Sequence, residues 1–418
     1  MAVSTASESR AGRARVSSSG SGGGPSRGLG DRLRQGDVGA LPVLLGLIVI
    51  AIIFRIANPF FLTPGNLTNL LVQITPIGAI AIGIVLVLLL GEIDLSVGAV
   101  SGFCAAVMAV LSVKHGVPGW LAALAGVGSG LLIGLCQGAW ITVLRVPSFV
   151  VTLAGYLGWQ GALLWILGST GTINLADPVI AGFVNSRLPV WAGWSLAGVT
   201  VAILWLGAYW ARTRRARAGL PPEHSSRLAL LALVSVAVLG AVLLMSTNRN
   251  PRGNPPIVGV PTGVALLLLL IAVFDFVTQR TRFGRHVFAV GGNAEAARRA
   301  GIPVSRIRIT AFALASGLAA AGGVLAASRL YAVNQSSGGG DVLLNAIAAA
   351  VIGGTSLFGG RGSAWSPLLG ALVIGAIANG MDLLAFASSV RFIVTGAVLL
   401  LAVTLDSYTR ARREQLGR

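Results

Sequence analysis

Apolar runs of about 17–25 residues recur along almost the whole chain, and this run length constrains the fold more than any other feature. A helix of that length crosses the hydrocarbon core of a bilayer. Within a bilayer each run must satisfy its own backbone hydrogen bonds, so it is helical. Charged residues make up only 11% of the 418 residues, against about 25% in soluble domains. The sequence therefore predicts an all-α polytopic membrane protein.

Twelve apolar segments fill residues 40–407, the expected transmembrane domain. Their approximate bounds are 40–57, 68–90, 95–113, 119–143, 148–168, 190–210, 228–246, 260–279, 306–328, 342–358, 365–380 and 390–406. The segments that begin near 342 and 365 are short and rich in glycine, so each is a candidate for a partial or broken helix. Residues 1–39, rich in Ser, Gly and Arg, are expected to form a disordered cytoplasmic tail. Residues 408–418 are expected to form a cytoplasmic C-terminal tail.

Basic residues predict the orientation of the chain, because cytoplasmic loops of membrane proteins are enriched in Lys and Arg. Four arginine clusters fall on one side when twelve segments alternate, so both termini are expected in the cytoplasm. The clusters are Arg13, Arg15, Arg27, Arg32 and Arg34; Arg212, Arg214, Arg215, Arg217 and Arg227; Arg280, Arg282, Arg285, Arg298, Arg299 and Arg306; and Arg410, Arg412, Arg413 and Arg418. This placement accounts for the net charge of +18 without binding to nucleic acid.

The fourth segment carries a glycine at every fourth position, namely Gly126, Gly130, Gly134 and Gly138. Residues four apart share one helix face, and small residues there let two membrane helices approach closely. A nucleotide-binding glycine loop would need a strand before it and a soluble helix after it. The surrounding apolar segment offers neither, so close helix packing is the expected role.

The sequence contains no group of side chains with the spacing of a metal site, a disulfide or a catalytic site. Cys104 and Cys136 both lie within apolar segments, which argues against a disulfide or a metal site. His115, His224 and His286 are far apart and show no zinc-ligand spacing. No catalytic residue, metal or cofactor is expected.

An acidic junction at residues 91–98 separates the second and third segments. Glu92, Asp94 and Ser96 are candidates for a gate or translocation turn, because carboxylates near a bilayer are costly and often functional. The alternative is a tight interfacial turn in which Asp94 stabilises the start of the next helix. Both interpretations remain open from the sequence.

The connection at residues 280–305 predicts a short helix presented between two membrane segments. Gly291, Gly292 and Asn293 indicate a turn, residues 294–300 favour a helix, and Gly301 before Pro303 ends it. Small side chains at positions 294, 296, 297 and 300 suit close docking in a partner's groove, with Glu295 and Arg298 at the rim. The alternative is a solvated connector.

This connection resembles the cytoplasmic coupling loop of bacterial ABC-importer permeases, which contacts the ATPase subunit. The pattern Gly-Gly-Asn-x-Glu-Ala-Ala-Arg-x-x-Gly-Ile, which starts at Gly291, resembles the ribose/xylose/galactose branch. On that resemblance the coupling residues are Gly291, Gly292, Asn293, Glu295, Ala297, Arg298 and Gly301. Four further stretches agree in order, at residues 66–71, 92–98, 146–155 and 346–360. Glu92 and the added length near 211–259 resemble the xylose type, which implies a 10-helix core plus an extra hairpin.

The resemblance implies a permease subunit in the plasma (cytoplasmic) membrane of a bacterium, embedded in lipid and carrying xylose or a similar monosaccharide. Two permease copies, an ABC ATPase subunit and an extracytoplasmic sugar-binding protein would complete the importer. The chain has no Walker A motif, so ATP hydrolysis is expected on the separate ATPase subunit. The competing classes are an ion-driven secondary transporter, which needs ionisable residues at mid-membrane, and a membrane-embedded enzyme, which needs a set of catalytic groups. The sequence leaves the sugar open.

Overall fold

The computed structural model describes residues 41–219, 225–247 and 258–415. The expected N-terminal tail at residues 1–39 therefore lies outside the described residues. The helices are α1 Leu41–Ala57, α2 Pro64–Leu89, α3 Val97–Val113, α4 Gly119–Val143, α5 Ser148–Leu167, α6 Pro178–Asn185, α7 Val190–Arg217, α8 Ser225–Ser246, α9 Thr262–Arg280, α10 Arg282–Gly292, α11 Ala294–Arg299, α12 Val304–Leu330, α13 Gly340–Ile352, α14 Ser366–Leu383 and α15 Ser388–Gln415. The strands are β1 Thr172–Asn174 and β2 Ala332–Asn334, which pair antiparallel.

Seven helices in the described ranges are long and apolar enough to cross a membrane, and five shorter apolar helices accompany them. Together they coincide with the twelve apolar segments of the sequence, so the all-α polytopic fold is confirmed. Helix starts follow local chemistry. The Thr63 hydroxyl accepts a hydrogen bond from the backbone N–H of Asn66, with Pro64 at the first turn of α2.

The core of the bundle is formed by α2 and α12, which are buried along most of their length. α12 packs most extensively on α4 and α2. A Cβ added at Gly134 would lie 2.3 Å from the carbonyl oxygen of Phe312, and one at Gly130 would lie 2.6 Å from that of Ser316. Both contacts are shorter than real Cβ atoms show, so the predicted close helix packing is confirmed.

α13 agrees with the expected partial helix, whereas α7, α15 and the connection at 169–189 differ from the predicted segments. α13 has 13 residues, about 20 Å at 1.5 Å per residue, which is too short to cross a bilayer. α7 continues to Arg217 and α15 to Gln415, so residues 408–415 extend the last helix. The connection at 169–189 contains β1 and α6, which the sequence pattern did not predict.

Candidate coupling surface and cavity

The coupling segment, residues 280–305, contains α10 and α11 and connects α9 to α12. α10 buries Gly284, Val287 and Val290 against the bundle while Arg282 and Arg285 stay exposed. A Cβ at Gly284 would lie 2.0 Å from the carbonyl oxygen of Thr278. The chain can therefore turn sharply from α9 into α10 only because glycine occupies this position.

α11 is a short capped helix with an exposed charged face. The Asn293 Oδ1 accepts a hydrogen bond from the backbone N–H of Ala296 at 2.9 Å, which satisfies a free donor at the helix start. The Glu295 carboxylate accepts from Arg298 at 3.0 Å and from Arg299 at 3.3 Å. All three charged side chains are more than half exposed, so they are available to a partner.

Ala297, one of the predicted coupling residues, has a role that the sequence did not indicate, whereas Gly301 has its predicted role. Ala297 is only 5% exposed and belongs to the main hydrophobic core of the chain, so it faces inward. Gly301 adopts a φ of 81° and follows α11, which agrees with the predicted helix end. Among the small side chains of α11 and its end, Ala296 and Ala300 are the exposed ones.

Gly291 lies at a three-way backbone contact rather than in a free turn. A Cβ added there would lie 1.7 Å from the Leu89 carbonyl oxygen at the end of α2. The same carbonyl accepts a hydrogen bond from the Gly360 backbone N–H at 2.9 Å. Gly359, with a φ of 86°, in turn lies against Gly91. We call these residues (Leu89, Gly91, Gly291, Gly359 and Gly360) the glycine junction; it connects the coupling segment to α2 and to the loop between α13 and α14.

The acidic junction at 91–98 lies beside the glycine junction. The Glu92 carboxylate pairs with Arg308 of α12 at 3.0 Å, with the two side chains 15% and 29% exposed. The Asp94 Oδ1 accepts from the Ser96 backbone N–H at 2.8 Å and from the Ser96 hydroxyl at 2.6 Å. Burial raises the pKa of Asp94, and the Ser96 hydrogen bonds oppose that rise.

The Gln137 amide completes this buried group from α4, 3.1 Å from the Ser96 hydroxyl. The serine has one proton and gives it to Asp94, so the amide satisfies it best by presenting its NH₂. Gly155 of α5 makes room, because a Cβ there would lie 2.4 Å from the Gln137 amide atom that does not face Ser96. Asp94 and Ser96 thus form a buried, hydrogen-bonded turn, with Glu92 ion-paired beside it; the role of all three as a gate stays a prediction.

A cavity of about 700 Å³ lies at the opposite end of the bundle, within the range of small-ligand pockets. Its walls come from α2, α3, α12, α13, α14 and α15 and from the connection after β2. α12 starts beside the coupling segment and lines the cavity with its last residues, including Arg329. None of Glu92, Asp94 and Ser96 lines the cavity.

The cavity carries polar side chains that sequence reasoning missed. Arg391 of α15 donates to Asp382 of α14. Gln73 of α2 donates to the other Asp382 oxygen at 3.4 Å and accepts from Asn379 at 3.5 Å. Asn345 of α13 also lines the wall. These residues lie up to about 300 positions apart, so only their polarity within apolar segments could have indicated them.

Comparison with known proteins places the chain among permeases. A family model described as "Branched-chain amino acid transport system / permease component" matches residues 66–403. The xylose transport system permease protein of Escherichia coli (strain K12) is 39% identical over 354 residues, covering 84% of this chain and 87% of the relative. Its counterpart in Haemophilus influenzae is 37% identical over 378 residues, covering 89% and 98%. The ribose import permease protein of Bacillus subtilis (strain 168) is 31% identical over 362 residues, covering 87% and 91%. No solved structure matches this chain.

These relatives are named as permease components of transport systems, not as enzymes. They cover more than four fifths of the chain, and its apolar helices suit repeated membrane crossing. The chain therefore belongs to the family of bacterial ABC sugar-importer permeases, as a multi-pass inner-membrane protein more similar to the xylose type than to the ribose type.

Proposed function

We propose that this permease carries xylose or a similar monosaccharide, which an extracytoplasmic binding protein delivers to the cavity end. An ABC ATPase docks on the coupling segment at the other end. The observation that carries the proposal is the arrangement of α12. This helix begins beside the exposed charged face of α11 and ends in a polar-lined cavity of ligand size. A single buried element thus connects the proposed docking site with the proposed pathway.

A second permease copy completes the importer in this proposal, and lipid covers the remaining apolar surface. Phe392 lines the cavity and is 59% exposed, with Ile393 beside it 72% exposed. This apolar rim suits a second copy, since exposed apolar surface at a pathway needs a cover. α7 exposes Trp191, Ile203 and Leu206 away from the cavity, which suits contact with lipid tails.

Reconstitution into liposomes tests the proposal. Permease alone should neither hydrolyse ATP nor take up xylose, because the chain has no Walker A motif. Addition of its ATPase and its binding protein should give xylose uptake that requires ATP. Uptake driven by a proton gradient, with no ATP and no partner proteins, would establish the secondary-transport alternative instead.

A further inference from the structure

The cavity contains a polar wall that is only loosely hydrogen-bonded to itself. Gln73 makes two contacts to protein side chains, at 3.4 Å to Asp382 and 3.5 Å to Asn379, and neither approaches the usual 2.9–3.0 Å. The Asn345 Oδ1 has no hydrogen-bond partner among the described residues. Both amides line the cavity, on α2 and α13. The Asn345 Oδ1 is buried, so its amide must rotate to face a ligand, whereas Gln73 needs only to release two long contacts.

Side chains behind this wall hold it in place. Asn66 donates to Asn379 at 2.7 Å, and Asn379 is 3% exposed. This partly buried pair fixes α14 against α2 and orients the amide that faces Gln73. A preorganised polar frame behind loosely bound side chains is what a small-molecule site requires.

The charges in the cavity favour an uncharged ligand. Among the described lining residues, Arg329 and Arg391 are cationic, and Asp341 and Asp382 are anionic. The two cations and the two anions cancel in formal charge, and Asp382 and Arg391 already pair with each other, so the cavity carries no net counter-charge for a carboxylate or an ammonium group. A polyhydroxyl molecule can instead donate to the Asp382 carboxylate and accept from the Arg391 guanidinium without separating them.

We infer that the permease has its own monosaccharide recognition site, in which Gln73 and Asn345 bind sugar hydroxyls beside the Asp382–Arg391 pair. The inference rests on the proposed function and goes beyond it, because it assigns part of the sugar selection to the membrane subunit. A passage that merely admits whatever the binding protein delivers would need no such polar wall.

Binding of tritiated D-xylose to the full-length permease in lipid nanodiscs tests the inference. Wild type should bind saturably, and Gln73→Ala and Asn345→Ala should each weaken binding about tenfold, the effect of one lost hydrogen bond. Asn174→Ala, an exposed amide on β1 outside the cavity, should bind as wild type does. If an alanine variant melts at a lower temperature, Gln73→Met or Asn345→Leu keeps the shape and removes only the polar atoms.

Unlabelled leucine should not displace the xylose, whereas unlabelled xylose should. Displacement by leucine, absence of saturable xylose binding, or wild-type binding in stably folded Gln73 and Asn345 variants would each overturn the inference. The reconstituted importer separates this failure from failure of the proposed function. ATP-dependent xylose uptake without xylose binding to the permease would contradict only the inferred recognition site. Absence of ATP-dependent sugar uptake would contradict the proposed function itself.

Discussion

Gly291 and Gly292 are neighbours at the end of α10, yet their surroundings differ. A Cβ at Gly291 would collide with the Leu89 carbonyl oxygen at 1.7 Å, whereas a Cβ at Gly292 would meet nothing within 4 Å. Both glycines have the backbone angles of a right-handed helix, and neither has a positive φ. The requirement for glycine at 291 is therefore a matter of space, and the chain leaves the helix at Asn293, the last residue of the predicted turn.

Gly291→Ala should separate the coupling segment from α2. We expect the free energy of unfolding to fall by about 1–3 kcal/mol, the usual cost of overpacking, with a lower melting temperature in nanodiscs. Gly292→Ala is the matched control and should melt as wild type does. Equal melting temperatures for the two variants would show that the glycine junction is not under steric constraint.

For α11, the sequence predicted that a helix forms but not which of its sides is buried. The residues that favour a helix and its end at Gly301 were readable from local chemistry, and the structure has α11 at Ala294–Arg299. A six-residue helix has less than two turns, so its buried side could not be derived from periodicity. Only the packing shows that Ala297 faces the core while Ala296 and Ala300 face outward.

Tryptophan substitutions on opposite faces of α11 should therefore have different effects, one on ATPase binding and the other on permease stability. Ala300→Trp adds bulk to the exposed face and should abolish co-purification of the ATPase while the permease melts normally. Ala297→Trp places the same side chain in the core and should lower the melting temperature of the permease itself. Normal co-purification with Ala300→Trp would show that the coupling segment is only a connector.

The cavity illustrates a different limit, because its polar wall comes from distant parts of the chain. Segment bounds were predicted closely, and α4 at Gly119–Val143 agrees residue for residue. Run length and hydrophobicity determine such bounds. The meeting of Gln73 with Asp382 depends instead on the packing of α2 against α14. No local pattern in the sequence contains that information.

At the scale of the whole molecule, the orientation of the bundle in the membrane is testable by labelling. Single cysteines at Ala300 and Ser336, in a background without Cys104 and Cys136, place a probe at each end; both positions are exposed. The arginine pattern predicts that an impermeant maleimide labels Ser336→Cys from outside intact cells and labels Ala300→Cys only after the cells are opened. The reverse pattern would invert the proposed topology.

The length of α12 has a mechanical consequence. Its 27 residues form a rod of about 40 Å that contains no proline. Pivoting such a rod by about 3° at the coupling segment moves its far end by about 2 Å. That travel would displace Arg329 and the other α12 residues that line the cavity. A nucleotide-driven motion at one face of the membrane would thus reach the cavity end as leverage, with α12 shifting against α2 and α4.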